Sequence, residues 1–176
     1  MKMNSGTVFF CLFLTVLSVQ AQEEVILWSD SYRLSWQDFK GAPDANSDAA
    51  AVTASGISYE FNATVKGGEV LVDYKVNSYF YPQKSWYNKQ LGDAQVLRHE
   101  QLHFNITELH TRKMRTILSR MKFTDNVRKE IKTVYEATLK DLQQMQKQYD
   151  SETDYSRNPE MQKQWEAKVA LLLKEP

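Results

Sequence analysis

An α+β fold, with a small antiparallel sheet packed on one long helix and two further C-terminal helices, is what three stretches of this sequence predict. Between Gly56 and Phe80, apolar and polar residues alternate with a period of two on either side of a Gly-Gly pair, the pattern of a β-hairpin with one buried face. From Gly92 to about Met121, and again from Thr124 to Tyr149, apolar residues return every three or four positions, as in helices that bury one stripe. A third helical segment follows Asn158-Pro159.

The ends of the chain bound the problem. Of 176 residues, 22 are basic and 22 acidic, with no arginine-rich block, so a nucleic-acid surface has no electrostatic support. Met1–Ala21 opens with Lys2, runs apolar from Val8 to Val19, and ends Val19-Gln20-Ala21 before Gln22-Glu23-Glu24. This reads as a signal peptide over residues 1–21, followed by one domain over residues 22–176. The apolar run is short for a membrane span, and no later stretch supplies the about 18–20 apolar residues a span needs. A secreted or periplasmic protein with no stable membrane anchor after cleavage is expected. Cys11 lies inside the leader, so the mature chain has neither disulfides nor thiol chemistry and relies on packing.

Each element has its own warrant. Glu24–Leu34 contains Val25-Ile26-Leu27-Trp28 and reads as a strand, followed after Ser35 by Trp36–Pro43, which ends in turn residues. Trp28, Trp36 and Phe39 read as core anchors. Asp44–Ala54, small and polar with several alanines, reads as a loop. In the hairpin, Ile57, Tyr59, Phe61, Ala63 and Val65 form one alternating set, Lys66-Gly67-Gly68-Glu69 the turn, and Val70, Val72, Tyr74 and Val76 the return. Pro82 cannot donate to a ladder, so the second strand stops or becomes an edge there, where a peptide substrate could add itself by main-chain hydrogen bonds. Thr124 is the expected N-cap of the second long helix, whose stripe is Val127, Ile131, Val134, Thr138, Leu142, Met145 and Tyr149. Asp150–Arg157 is an acidic connector. Asn158, Pro159 and Glu160 suit the N-cap, first position and first turn of a closing helix with Met161, Trp165 and Leu172 inward.

The chemistry is concentrated in Leu97-Arg98-His99-Glu100-Gln101-Leu102-His103-Phe104, which holds an HExxH and two of the three histidines. On a helix, residues four apart lie about 6 Å apart on one face, so His99 and His103 can grip one metal ion. Glu100 leans to the flank of that pair, where it can act as general base toward a metal-activated water, the arrangement of a zinc hydrolase. Two half-buried, hydrogen-bonded histidines would give the same letters. The apolar neighbours Val96, Leu97, Leu102, Phe104 and Ile106 favour the metal, because a buried polar pair needs partners.

A catalytic zinc usually takes three protein ligands and leaves one position for water. His110 falls on the same stripe but roughly 10 Å beyond His103 along the axis, and Glu108 also fails on distance. The third ligand is therefore expected from another segment, and the connector offers Asp150, Glu152, Asp154 and Tyr155.

Trp36-Gln37-Asp38-Phe39-Lys40-Gly41-Ala42-Pro43, then His99 through Glu108, then Tyr149-Asp150 through Thr153 with Arg157-Asn158, resemble the bacterial domain of unknown function 922 family, whose members are described as predicted secreted zinc-dependent proteases. The resemblance covers nearly the whole mature chain and implies a zincin-like metalloprotease domain. Where members carry Asn-His after the connector threonine, this chain has Asp154-Tyr155. Asp154, beside the position of that histidine, is the expected third ligand, with Tyr155 as the alternative through its phenol. The expected function is a secreted zinc-dependent peptidase acting on a peptide or protein substrate. The alternative is a secreted non-catalytic binding or envelope protein with a degenerate metal site.

Overall fold

The computed structural model describes residues 23–174, so the signal-peptide reading of residues 1–21 and Cys11 lie outside the described residues. In chain order the elements are β1 (Ile26–Leu27), β2 (Ala51–Val52), β3 (Ser55–Lys66), β4 (Glu69–Phe80), β5 (Trp86–Tyr87), α1 (Ala94–Ser119), α2 (Val127–Glu152) and α3 (Pro159–Leu172). The architecture is the expected α+β arrangement of a small antiparallel sheet and three helices.

β3 and β4 pair antiparallel along their whole length, from Ser55 opposite Phe80 to Lys66 opposite Glu69. Gly67 and Gly68, between them, have φ of 61° and 85°, the left-handed backbone that a two-residue hairpin turn requires. β1 pairs with β4 on the other side, giving the strand order β1-β4-β3. β4 is thus the middle strand, and at its end before Pro82, where an edge was expected, Tyr79 and Phe80 are paired on both sides. Pro82 ends it by opening a 3-10 turn, Pro82–Lys84. β1 is shorter than its apolar run because the chain turns at once, with the Tyr32 N–H donating to the Ser29 carbonyl at 3.3 Å. The expected loop 44–54 contains β2, which pairs with β5 in a second sheet. Two paired residues in an alanine-rich stretch leave no alternation to read.

α1 is the middle of the molecule. Asp93 caps it, accepting from the N–H groups of Gln95 and Val96 at 2.8 Å each. Its central residues Ile106–Thr111 are buried on every side, between the hairpin on one face and α2 and α3 on the others. Ile57, Val76, Leu102, Ile106, Met114, Leu118, Ile131, Leu142, Trp165 and Val169 form the larger core. A smaller cluster of Leu34, Phe39, Phe80 and Phe104 takes in Trp28 and Trp36, the expected anchors. Thr124 does not cap α2 directly. Asn126 is the cap residue, while two residues earlier the Thr124 hydroxyl and N–H both donate to the Glu130 carboxylate, at 2.6 and 3.1 Å. α3 begins as its letters require, with the Asn158 side chain accepting from the Met161 N–H at 3.2 Å. Among the described residues, no helix is long and apolar enough to cross a membrane.

Candidate metal centre

The period of α1 places His99 and His103 on the face that meets α2 and α3. Their Nε2 atoms lie 3.1 Å apart. The Asp150 Oδ1 atom lies 3.2 Å from His99 Nε2 and 2.9 Å from His103 Nε2, so two nitrogens and one carboxylate oxygen converge on one point. This group has the donors and the spacing to hold a metal ion.

Each imidazole is oriented from behind by an amide. His103 Nδ1 donates to Gln146 Oε1, and Gln146 Nε2 donates to the His103 carbonyl at 3.0 Å. His99 Nδ1 donates to Gln162 Oε1 at 3.1 Å, an oxygen that also accepts the Tyr149 hydroxyl at 2.7 Å, while Gln162 Nε2 donates to Glu166 at 3.0 Å. Because the amide nitrogens are committed elsewhere, both oxygens face Nδ1. Both rings therefore keep a proton on Nδ1, which leaves Nε2 as the atom that takes either a proton shared with Asp150 or a metal ion. Tyr149 stacks on His99 with ring centroids 4.5 Å apart, which seals the back of the site.

Burial works against a charge on His103, but the hydrogen bond to Asp150 and the negative charge of Glu100 outweigh it and raise its pKa. Burial likewise opposes the charge of Asp150, yet its hydrogen bonds to His103 and His99 hold the carboxyl well below the usual carboxylate range. Asp150 and the two imidazoles thus form a tightly paired carboxylate–imidazole cluster.

Glu100 is 4% exposed, and its Oε2 is the buried side-chain oxygen that finds no hydrogen-bond partner among the described residues. A carboxylate oxygen left bare in a polar cluster is costly, and a ligand or water that hydrogen-bonds it would relieve the cost.

The expected third ligand is corrected here. Asp154 is exposed and its carboxylate is held by the Arg157 guanidinium at 2.8 Å, and Tyr155 is 64% exposed. The reason is backbone. After Thr153 the chain takes three left-handed residues in a row, Asp154 (φ 47°), Tyr155 (φ 53°) and Ser156 (φ 76°), which turn these side chains outward. Such conformations cost about 1–2 kcal/mol each outside glycine. They are held by the Tyr155 N–H on the Asp150 carbonyl (2.9 Å), the Asn158 N–H on the Thr153 carbonyl (2.9 Å), and Gln95 Nε2 on the Ser156 carbonyl. Meanwhile α2 continues to Glu152, so Asp150 stands on its last turn, four residues after Gln146 on the same face.

The other two polar candidates on α1 have different work. Glu108 is buried in an ion cluster, accepting from Ser78 Oγ at 2.6 Å and from Arg112 and Arg115 at 3.0 Å each. His110 is buried against α2 with Nε2 3.3 Å from Met145 Sδ, away from the metal site as its axial offset implied.

A family model described as bacterial protein of unknown function (DUF922) matches residues 31–158. The chain belongs to this family. The matched DUF922 region contains His99, His103 and Asp150, together with Glu100 and Gln146, and stops short of Gln162 on α3. No curated protein and no solved structure matches the chain.

Proposed function

We propose that this DUF922 protein is an exported zinc-dependent peptidase, in which His99, His103 and Asp150 hold the metal and Glu100 is the general base. The observation that carries the reading is the convergence of two imidazole Nε2 atoms and one carboxylate oxygen beside the unpartnered Glu100 Oε2. A tetrahedral zinc with bonds of about 2.0–2.1 Å spaces its donors by roughly 3.4 Å, so the triad fits after opening by a few tenths of an ångström. Three protein donors also leave a fourth position, as a catalytic site requires. When bound, zinc would polarise the substrate carbonyl and acidify water.

The rest of the chemistry falls to the chain. Glu100 Oε2, bare and fixed on a buried helix, accepts a proton from the attacking water. The same carboxyl then passes that proton to the departing amine nitrogen, so the carboxylate is regenerated. Asp150, paired with both imidazoles, offsets positive charge at the centre. Gln146 and Gln162 hold the imidazoles in the ligating tautomer throughout.

Export rests on the leader-like residues 1–21, and the absence of a basic block argues against nucleic acid as partner. The deciding experiment is elemental analysis of purified protein together with turnover of a mixed peptide pool, before and after Glu100→Gln. One zinc per chain and Glu100-dependent cleavage support the reading. A chain that binds no metal at micromolar zinc removes it. Mass spectrometry of exported protein should find the mature chain beginning near Gln22, and a retained leader would refute the export reading.

A further inference from the structure

Two hollows flank the metal site and meet at Glu100, which lines both. The larger, about 770 Å³, opens beside His99 and is walled by Ala49, Ala50 and Ala51, Leu91, Val96 and Tyr155. The smaller, about 340 Å³, opens beside His103 and Asp150 and is walled by Val52, Thr53, Ser55 and Gln143. One segment, residues 48–55, thus borders both hollows in sequence order.

That segment contains β2, and its register tells which way its backbone faces. The Asn88 N–H donates to the Ala50 carbonyl at 2.8 Å, and Val52 stands opposite Trp86, so Ala50 and Val52 turn their main-chain groups toward β5. The N–H and C=O of Ala51 between them, and those of Thr53, are directed to the opposite side, while the Ala49 N–H is taken by the Ser47 hydroxyl at 3.2 Å. Neither Trp86 nor Tyr87 lines either hollow, so the cleft lies on that opposite, unpaired side. The Thr53 hydroxyl donates to the Glu100 carbonyl at 3.2 Å and ties this edge to the metal helix.

Apart from Glu100 at the floor, the charged groups around the larger hollow are engaged or turned to solvent. Asp93 is committed to capping α1, Arg157 to Asp154, and Asp48 is exposed. Three alanines leave room for a guest side chain, and Leu91 and Tyr155, 52% and 64% exposed, are unusually bare for their size. An apolar guest would cover both.

Resting on the peptidase reading, we propose that the substrate is an extended polypeptide that adds to the free edge of β2 as a third strand, with a large apolar side chain next to the scissile amide seated in the larger hollow. Main-chain pairing supplies affinity without regard to sequence, and the hollow supplies the choice. Because strand side chains alternate, only every second substrate N–H faces β2.

The test uses zinc-loaded Glu100→Gln protein, so that binding is read without turnover. Fluorescent alanine-rich decapeptides with a central Leu, Phe, Ser, Asp or Lys are titrated by anisotropy. The Leu and Phe peptides should bind at least about tenfold tighter than the Asp and Lys peptides. Leu91→Asp, at an exposed position, should erase that preference while leaving zinc content unchanged. N-methylation along the Leu peptide should weaken binding at alternate positions only. Equal binding of all five peptides, a preference for charge, or an N-methyl scan with no period of two overturns the proposal. If wild-type protein cleaves peptides with no apolar preference, this proposal alone fails; if it binds zinc and neither cleaves nor binds any peptide, the peptidase reading fails with it.

Discussion

Asp150, on the last turn of α2, places a single carboxylate oxygen 2.9 Å from His103 Nε2 on α1. The two helices meet at a group that could hold a metal ion, so on the zinc reading the identity of the third donor has a thermodynamic consequence. Asp150→Ala should weaken zinc binding by more than the about 10–100-fold typical of losing an outer partner. Asp154→Ala removes only an exposed ion pair with Arg157 and should leave zinc affinity unchanged. Competition with a chromophoric chelator measures both. On the same reading the ion binds the folded chain alone, so chelation should also lower the Tm of wild-type protein and have little effect on Asp150→Ala.

Glu100→Gln should retain one zinc per chain and lose about 10²–10⁴-fold in kcat, because in the proposed mechanism Glu100 moves protons and it is not among the convergent donors. His99→Ala should lose zinc as well as turnover. Parallel elemental analysis and peptide kinetics separate the two; a Glu100→Gln protein with wild-type kcat would move the chemistry elsewhere.

The amides behind the imidazoles make a subtler claim. Gln162→Leu frees His99 Nδ1 and leaves the Tyr149 hydroxyl with only the His99 carbonyl, at 3.3 Å. The wrong tautomer then competes, and zinc affinity should fall about 10–100-fold. Gln162→Glu keeps an acceptor toward Nδ1 and should restore much of that affinity, which a merely structural loss would not do. Isothermal titration with zinc distinguishes the two variants.

Much of this was legible in the letters. The hairpin, its Gly67-Gly68 turn, the three helices and the meeting of His99 with His103 on one helix face all follow from period and spacing, because each pattern has one local cause. The third ligand was legible as a segment and not as a residue. The connector was read as starting at Asp150, but the helical period simply runs on past Tyr149 with no breaker before Thr153, which puts Gln146 and Asp150 on one face. What turned Asp154 and Tyr155 away was a run of left-handed residues without a glycine, and no residue preference announces that. Gln162 was invisible for another reason. It lies on a helix far along the chain, and an isolated glutamine beside an apolar stripe has no signature until the fold brings it to His99.

The third histidine gives a prediction independent of metal. His110 is 3% exposed, and burial, helped by Lys113 and opposed by Asp141, pushes its pKa down to about 4. A base whose folded pKa lies below its unfolded value of about 6.5 binds its proton first in the unfolded chain. The stability tied to the neutral ring is therefore whole above about pH 6.5 and is lost as pH falls toward 4, by an amount on the order of 2–3 kcal/mol. Other groups titrate over the same range, His103 with the opposite sign, so the quantity to measure is a difference. Urea unfolding of chelated wild-type and His110→Leu protein at pH 7.5 and pH 4.5 gives it. The Nε2 atom contacts only the Met145 sulfur among the described side chains, so an apolar replacement should cost little at pH 7.5. At pH 4.5 the variant should become the more stable of the two. Parallel stability curves for the two proteins across this range would show that His110 is protonated in the fold without penalty, and that the pocket against α2 is wetter than its burial implies.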